Sequence, residues 1–242
     1  MNKKEIGLYI HIPFCAHKCD YCDFISFSNC ESKIEEYINK LKEEIKQENL
    51  EQYKITTIYI GGGTPSYIES KHIVEILNLI NKEYVEEITI ELNPGTVTRE
   101  KLEAYYNAGI NRLSIGLQST DDMLLKQISR IHTYEQFLET YNLAREVGFK
   151  NINVDLMIGL PNQEIKDIKE SLKRIVNLKP EHISVYSLIL EEYTKSVACV
   201  IESTAGIEST AKIRSLISMT STAAKRGVAN HLPASLIKKF SP

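Results

Sequence analysis

Short runs rich in β-branched residues alternate along this chain with longer charged stretches of helical period. The runs at 6–12, 57–60, 87–91, 112–115, 151–156 and 182–188 have the length and composition of buried strands. Between them, Ile34, Tyr37, Ile38, Leu41 and Ile45 recur at steps of three and four, as do Ile73, Ile76, Leu77 and Ile80. The stretches 102–108, 123–128, 134–147 and 165–178 carry the same period and predict further helices. Gly109, Gly148 and Pro180 stand just before the fourth, fifth and sixth strands, where a helix has to stop. This alternation predicts an α/β fold with a parallel sheet, either part of a barrel or open and doubly wound. In both topologies the active surface lies beyond the carboxyl ends of the strands.

The unusual residues sit at those ends. Cys15 follows the first strand, residues 61–65 (GGGTP) the second, Asn93-Pro94 the third, Gln118 the fourth and residues 159–163 the fifth. The alternation stops near Lys195, which divides the chain into a core at 1–195 and a tail at 196–242. Ser, Thr and Ala make up 19 of the tail's 47 residues, and IESTA at 201–205 recurs at 207–211. That composition predicts an amphipathic helix or disorder rather than a further strand–helix unit.

Composition narrows the classes. A net charge of −3 over 242 residues lacks the basic footprint of a nucleic-acid binder. No apolar run approaches the roughly 18 residues of a membrane span, and residues 1–5 lead into the first strand without a signal-peptide core. The expectation is a cytoplasmic protein with no nucleic-acid partner and no membrane span. Cys15, Cys19, Cys22 and Cys30 crowd together while Cys199 stands alone, which in a reducing compartment means a metal or redox site rather than disulfides. Cys15-x-x-x-Cys19-x-x-Cys22 offers three thiolates on one loop. A [4Fe–4S] cluster held by three thiolates keeps one iron open to the amine and carboxylate of S-adenosyl-L-methionine (SAM). The alternative is a structural zinc site with Cys30 as the fourth ligand, although such sites more often pair CxxC or CxxH units.

The segment from Tyr9 to Phe24 (YIHIPFCAHKCDYCDF), GGGTP at 61–65, ELNP at 91–94, SIGLQS at 114–119 and DLMIGLPNQ at 155–163 occur in one order. Together they resemble the radical SAM subfamily that contains the oxygen-independent coproporphyrinogen III oxidases and the HemW-type heme chaperones, over about residues 6–192. The resemblance implies a partial (β/α)6 TIM-like barrel of parallel strands with a [4Fe–4S] cluster on Cys15, Cys19 and Cys22. It implies SAM contacts from Tyr9, Gly62, Gly63, Thr64, Glu91, Gln118, Arg130 and Asp155, with Arg130 at the SAM carboxylate and backbone contact at Ile189. Tyr21 joins that set beside Phe14, where both pack around the cluster and exclude water. His11 and His17 are not expected to be ligands.

Oxidases of the subfamily resemble CxxxCxxCxC and carry a long N-terminal extension. Here Phe24 occupies the position of the fourth cysteine. The resemblance therefore implies a heme chaperone, with heme or a porphyrin as ligand and a heme-accepting respiratory protein as partner. Reductive SAM cleavage is expected, and coproporphyrinogen oxidase activity is the runner-up. The chain departs from the family at residues 191–194, which read EEYT where the family has EEGT. The tail does not resemble the family's C-terminal domain, as in a truncated or frameshifted chain.

Overall fold

The structure is a computed structural model that describes residues 3–189 and the strand Ile237–Phe240. Its elements run β1 (Lys4–Ile12), α1 (Ile34–Gln47), β2 (Tyr53–Gly62), α2 (Ser70–Asn78), β3 (Glu87–Leu92), α3 (Arg99–Asn107), β4 (Arg112–Gln118), α4 (Asp122–Gln127), α5 (Tyr134–Val147), β5 (Ile152–Ile158), α6 (Ile165–Leu178), β6 (His182–Ser187) and β7 (Ile237–Phe240). The strands lie in the order β6-β5-β4-β3-β2-β1-β7. The first six are parallel and form a curled half-barrel, which resolves the two topologies that the alternation left open. Every strand and helix predicted between residues 6 and 188 is present. β2 starts at Tyr53 rather than Thr57 because residues 53–55 pair with Lys4, Glu5 and Ile6 of β1.

The two faces of the sheet differ in chemistry. On β1, Ile6, Leu8, Ile10 and Ile12 are buried against the helices, while Tyr9 and His11 point the other way. Ile58 and Ile60, Ile88 and Ile90, Leu113 and Ile115, and Ile152 and Val154 continue the apolar layer across the sheet. Burying each such side chain contributes about 1.5–3 kcal/mol, so this layer holds the half-barrel together. Parallel strands are more often apolar on both faces. Here the concave face carries Tyr59, Glu91, Ser114, Asn153 and Asp155 instead, so the sheet supplies a polar cleft on an apolar backing.

Helix caps fix the loops at the carboxyl ends. Thr98 and Asp121 cap α3 and α4 through their side chains, and Thr133 and Gln136 form a capping box on α5. The tail contains a strand that its composition did not predict. β7 pairs antiparallel with Gly7–Ile10, since the outer edge of β1 offers unpaired backbone groups that four residues suffice to meet. The IESTA repeat, Cys199 and residues 191–194 lie outside the described residues. Among the described residues no helix is long and apolar enough to cross a membrane.

Candidate functional site

The cysteine loop is clamped at its base. Cys15 N–H donates to the Phe27 carbonyl at 3.0 Å, and Phe27 N–H donates to the Pro13 carbonyl at 2.7 Å. Cys19 and Cys22 lie in the excursion between, where Cys22 N–H closes a turn onto the Cys19 carbonyl at 3.0 Å. The loop is also fastened across the barrel mouth, because the Ser129 hydroxyl donates to Asp20 Oδ2. Cys15 is buried, Cys19 and Cys22 are half-buried, and burial pushes the Cys22 thiol up. Cys30 stands apart, half-buried and packed against the hydrophobic core. Among the described residues no three His, Cys, Asp or Glu side chains converge on a point for one metal ion. A cluster does not require such a point, since each thiolate takes a different iron.

The glycine turn is stitched to this loop. Gly63 N–H donates to the Ile12 carbonyl and Thr64 N–H to the Phe14 carbonyl, each at 2.8 Å. A Cβ on Gly63 would lie 2.9 Å from both Cys15 Sγ and the Phe14 carbonyl oxygen. Gly62 has φ +123°, and a Cβ there would meet His11 Nδ1 at 2.7 Å. The glycines thus give room to the cysteine loop and β1 as well as to any ligand. A ligand amine donates, so its partners at this turn are carbonyl oxygens and the Thr64 hydroxyl.

From Thr64 a chain of side chains runs to the opposite wall. The buried Thr64 Oγ1 donates to Cys15 Sγ at 3.5 Å and accepts from Asn93 Nδ2 at 2.8 Å. Asn93 Oδ1 accepts from Arg130 Nη2 at 2.8 Å, and Nη2 also donates to the Gly116 carbonyl. Arg130 Nη1 donates to Cys19 Sγ at 3.7 Å. Arg130 Nε is sealed from solvent and has no protein partner among the described residues. These side chains line a cleft that also takes in Ala16, Pro94 and Ile131. Asn93-Pro94 stands out in the sequence by its place at the end of β3, but the sequence assigns no contact to the Asn93 side chain.

The concave face carries the remaining candidates. Glu91 Oε1 accepts from the Tyr59 hydroxyl at 2.8 Å and Oε2 from Gly62 N–H at 3.2 Å. Burial outweighs both donors and raises the Glu91 carboxyl to about 7. Tyr9 stacks on Tyr59, with ring centroids 6.1 Å apart, and its hydroxyl lies 3.1 Å from His11 Nδ1. His11 Nε2 lies 2.9 Å from the Ile25 carbonyl oxygen, which ties β1 to the cysteine loop. Asp155 accepts from Ser114 Oγ at 3.2 Å and from Asn153 Nδ2 at 2.7 Å, the partners that a buried carboxylate on this strand requires. Burial raises its pKa as well. Gln118 sits at φ +74° beyond a register shift in β4 and accepts the Tyr186 hydroxyl at 2.9 Å. Tyr21 packs against Leu124, Ile128, Met157 and Leu160, within electrostatic reach of Arg130 and Cys19. His17 is exposed on the loop.

The structure thus brings Cys15, Cys19, Thr64 and Arg130 into one bonded group. Glu91, Gly62 and Tyr9 lie beside it, with Asp155 and Gln118 on the next strands. Three thiols on one loop, with a guanidinium against one sulfur and a hydroxyl against another, suit an anionic iron–sulfur cluster. Arg130, a half-buried cation in the lining of the cleft, suits an anionic ligand group.

Residues 9–175 match the Radical SAM superfamily. The heme chaperone HemW of Bacillus subtilis (strain 168) is 40% identical over 193 residues, covering 77% of this chain and 51% of that protein. The heme chaperone HemW of Escherichia coli (strain K12) is 36% identical over 196 residues, covering 78% and 52%. The oxygen-independent coproporphyrinogen-III oxidase-like protein HemZ of B. subtilis is 37% identical over 201 residues, covering 77% and 40%. The chain therefore spans about half the length of the curated heme chaperones it matches. The solved coproporphyrinogen III oxidase HemN of E. coli aligns with a TM-score of 0.69 at 25% identity, over 84% of this chain and 52% of that one. A match over residues 9–175, on a half-barrel with three cysteines beyond its first strand, settles the family and implies a [4Fe–4S] cluster and SAM: the chain belongs to the radical SAM superfamily.

Proposed function

We propose that residues 1–195 form a radical SAM core that holds a [4Fe–4S] cluster on Cys15, Cys19 and Cys22. In this reading the core binds SAM across the carboxyl ends of β2–β5 and serves a heme chaperone, which binds heme and passes it to a respiratory apoprotein in the cytoplasm. The observation that carries the cluster and SAM assignment is Arg130, which lines the cleft and sets one nitrogen on Cys19 Sγ. The fork geometry of guanidinium suits the SAM carboxylate there. When bound, the cluster supplies the electron that breaks a C–S bond of SAM.

The chain's own residues bind, orient and exclude water. The Thr64 hydroxyl and the carbonyls of the glycine turn accept from the SAM amine. Glu91 on β3 and Asp155 on β5, with β4 between them, accept hydrogen bonds from ribose hydroxyls. Phe14 and Tyr21 keep water from the cluster.

The heme reading rests on the names of the curated relatives and on Phe24, which is 65% exposed where the oxidases carry a cysteine. Ile131, also 65% exposed, adds apolar surface at the cleft for a flat macrocycle. The similarity to HemZ and HemN supports the oxidase as a second reading. Titration of the reconstituted protein with heme, followed by Soret absorbance, tests the choice. Saturable binding at one heme per chain is expected, and heme that stays in its free form contradicts the chaperone reading.

A further inference from the structure

The Asn93 side chain lies between the contacts to the two cysteine sulfurs, and its polarity is forced. Arg130 has only N–H donors, so the Asn93 atom 2.8 Å from Nη2 must be the oxygen. The amide nitrogen then faces Thr64 at 2.8 Å and can only donate. The Thr64 hydroxyl therefore accepts from Asn93, and its one proton is directed to its other neighbour, Cys15 Sγ at 3.5 Å. Donation runs one way, from Arg130 through Asn93 and Thr64 to the sulfur.

Asn93 is held in place to do this. Its backbone N–H donates to Ser66 Oγ at 3.1 Å, and its carbonyl accepts from Thr96 Oγ1 at 2.7 Å. Lys101 Nζ anchors both of those segments, donating to the Ser66 carbonyl at 2.8 Å and the Thr96 carbonyl at 3.1 Å.

We infer that Asn93 is a positioning residue that aims the Thr64 proton at Cys15 Sγ and so sets the reduction potential of the cluster. This rests on the reading of Cys15 as a cluster ligand. A hydrogen bond to a ligating sulfur stabilises the more negative, reduced cluster and raises its potential. An aspartate at 93 has only acceptors at neutral pH. It keeps Arg130 but takes the Thr64 proton for itself, which turns the hydroxyl away from the sulfur.

The test uses the full chain, reconstituted anaerobically in D2O, as wild type, Asn93→Asp and Thr64→Val. Pulsed EPR of the reduced cluster reads the exchangeable deuterons near it, and a redox titration reads the potential. Thr64→Val is expected to remove one deuteron coupling and lower the potential. Asn93→Asp is expected to remove the same coupling although Thr64 is still present, with iron and sulfide content unchanged. A double variant should lack no further coupling. The inference is overturned if Thr64→Val leaves the couplings unchanged, or if Asn93→Asp keeps the coupling that Thr64→Val removes. Loss of the cluster in Asn93→Asp but not in Thr64→Val overturns it too, because Asn93 then acts by another route. A wild-type chain that takes up no iron removes the underlying reading as well, and so separates the two failures.

Discussion

The Glu91 carboxylate takes the Tyr59 hydroxyl at 2.8 Å on the concave face of the half-barrel, and burial still holds its pKa near 7. The ordinary value is 4.5, so the folded protein disfavours the charged form. The sign follows from linkage. Glu91's contribution to stability is intact below pH 4.5 and is lost as the pH rises through about 7. A shift of this size is on the order of 3 kcal/mol. Glu91→Gln, which cannot ionise, should therefore gain stability relative to wild type as the pH goes from 5 to 8. Urea unfolding of both proteins across that range checks it, and a difference that stays constant or shrinks contradicts the assignment.

Gly63 faces the cysteine loop directly, with no room for a methyl group beside Cys15 Sγ. Two of the three nearest atoms are backbone, so the clash cannot be relieved by turning a flexible side chain. Gly63→Ala should displace Cys15 and reduce iron retention after reconstitution by several-fold, and Gly63→Val should reduce it further. Iron and sulfide analysis reads this; wild-type content in Gly63→Val would show that the close packing is not needed.

Tyr105 on α3 is fully buried, and its hydroxyl has no partner among the described residues. A buried hydroxyl without a partner costs about 1–3 kcal/mol. Tyr105→Phe should raise the unfolding free energy by about 1 kcal/mol, which chemical denaturation can resolve. A loss of stability on that substitution would mean that the hydroxyl has a bonded partner after all.

Coproporphyrinogen oxidase activity should be absent. Phe24 replaces the cysteine of the oxidase pattern and stands largely exposed at the site. The reaction requires a large porphyrinogen held close to the site with water excluded. An anaerobic assay with reductant, SAM and coproporphyrinogen III should yield 5′-deoxyadenosine at most. Protoporphyrinogen IX above a Cys15→Ala control would restore the oxidase reading.

Much of this was legible in the residue pattern because each β-strand and helix announces itself by period. Ile6, Leu8, Ile10 and Ile12 define one face of β1, and the helix at Tyr134–Val147 matches its predicted bounds. The alternation could not decide between an open sheet and a half-barrel, because sheet curvature is not encoded in which face is apolar. Within the site, the cysteine and glycine motifs stand out because their spacing is unusual. Asn93 stands out only by its place before Pro94, with no contact assigned to it, and Tyr59 not at all, since a tyrosine in a strand is common. Their roles arise only when strand neighbours bring Thr64, Arg130 and Glu91 against them. β7 escaped for a similar reason, because its partner edge lies more than two hundred residues away in the chain.

The most direct test of the whole account is the EPR spectrum of the reduced, reconstituted protein with and without SAM. Iron and sulfide should approach four each per chain, and Cys19→Ala should lose the absorbance of the cluster. Addition of SAM should change the spectrum of the wild type, because three cysteines leave one iron open to the ligand. A spectrum that SAM leaves untouched, or purified protein with stoichiometric zinc that takes up no iron, would contradict the assignment of Cys15, Cys19 and Cys22.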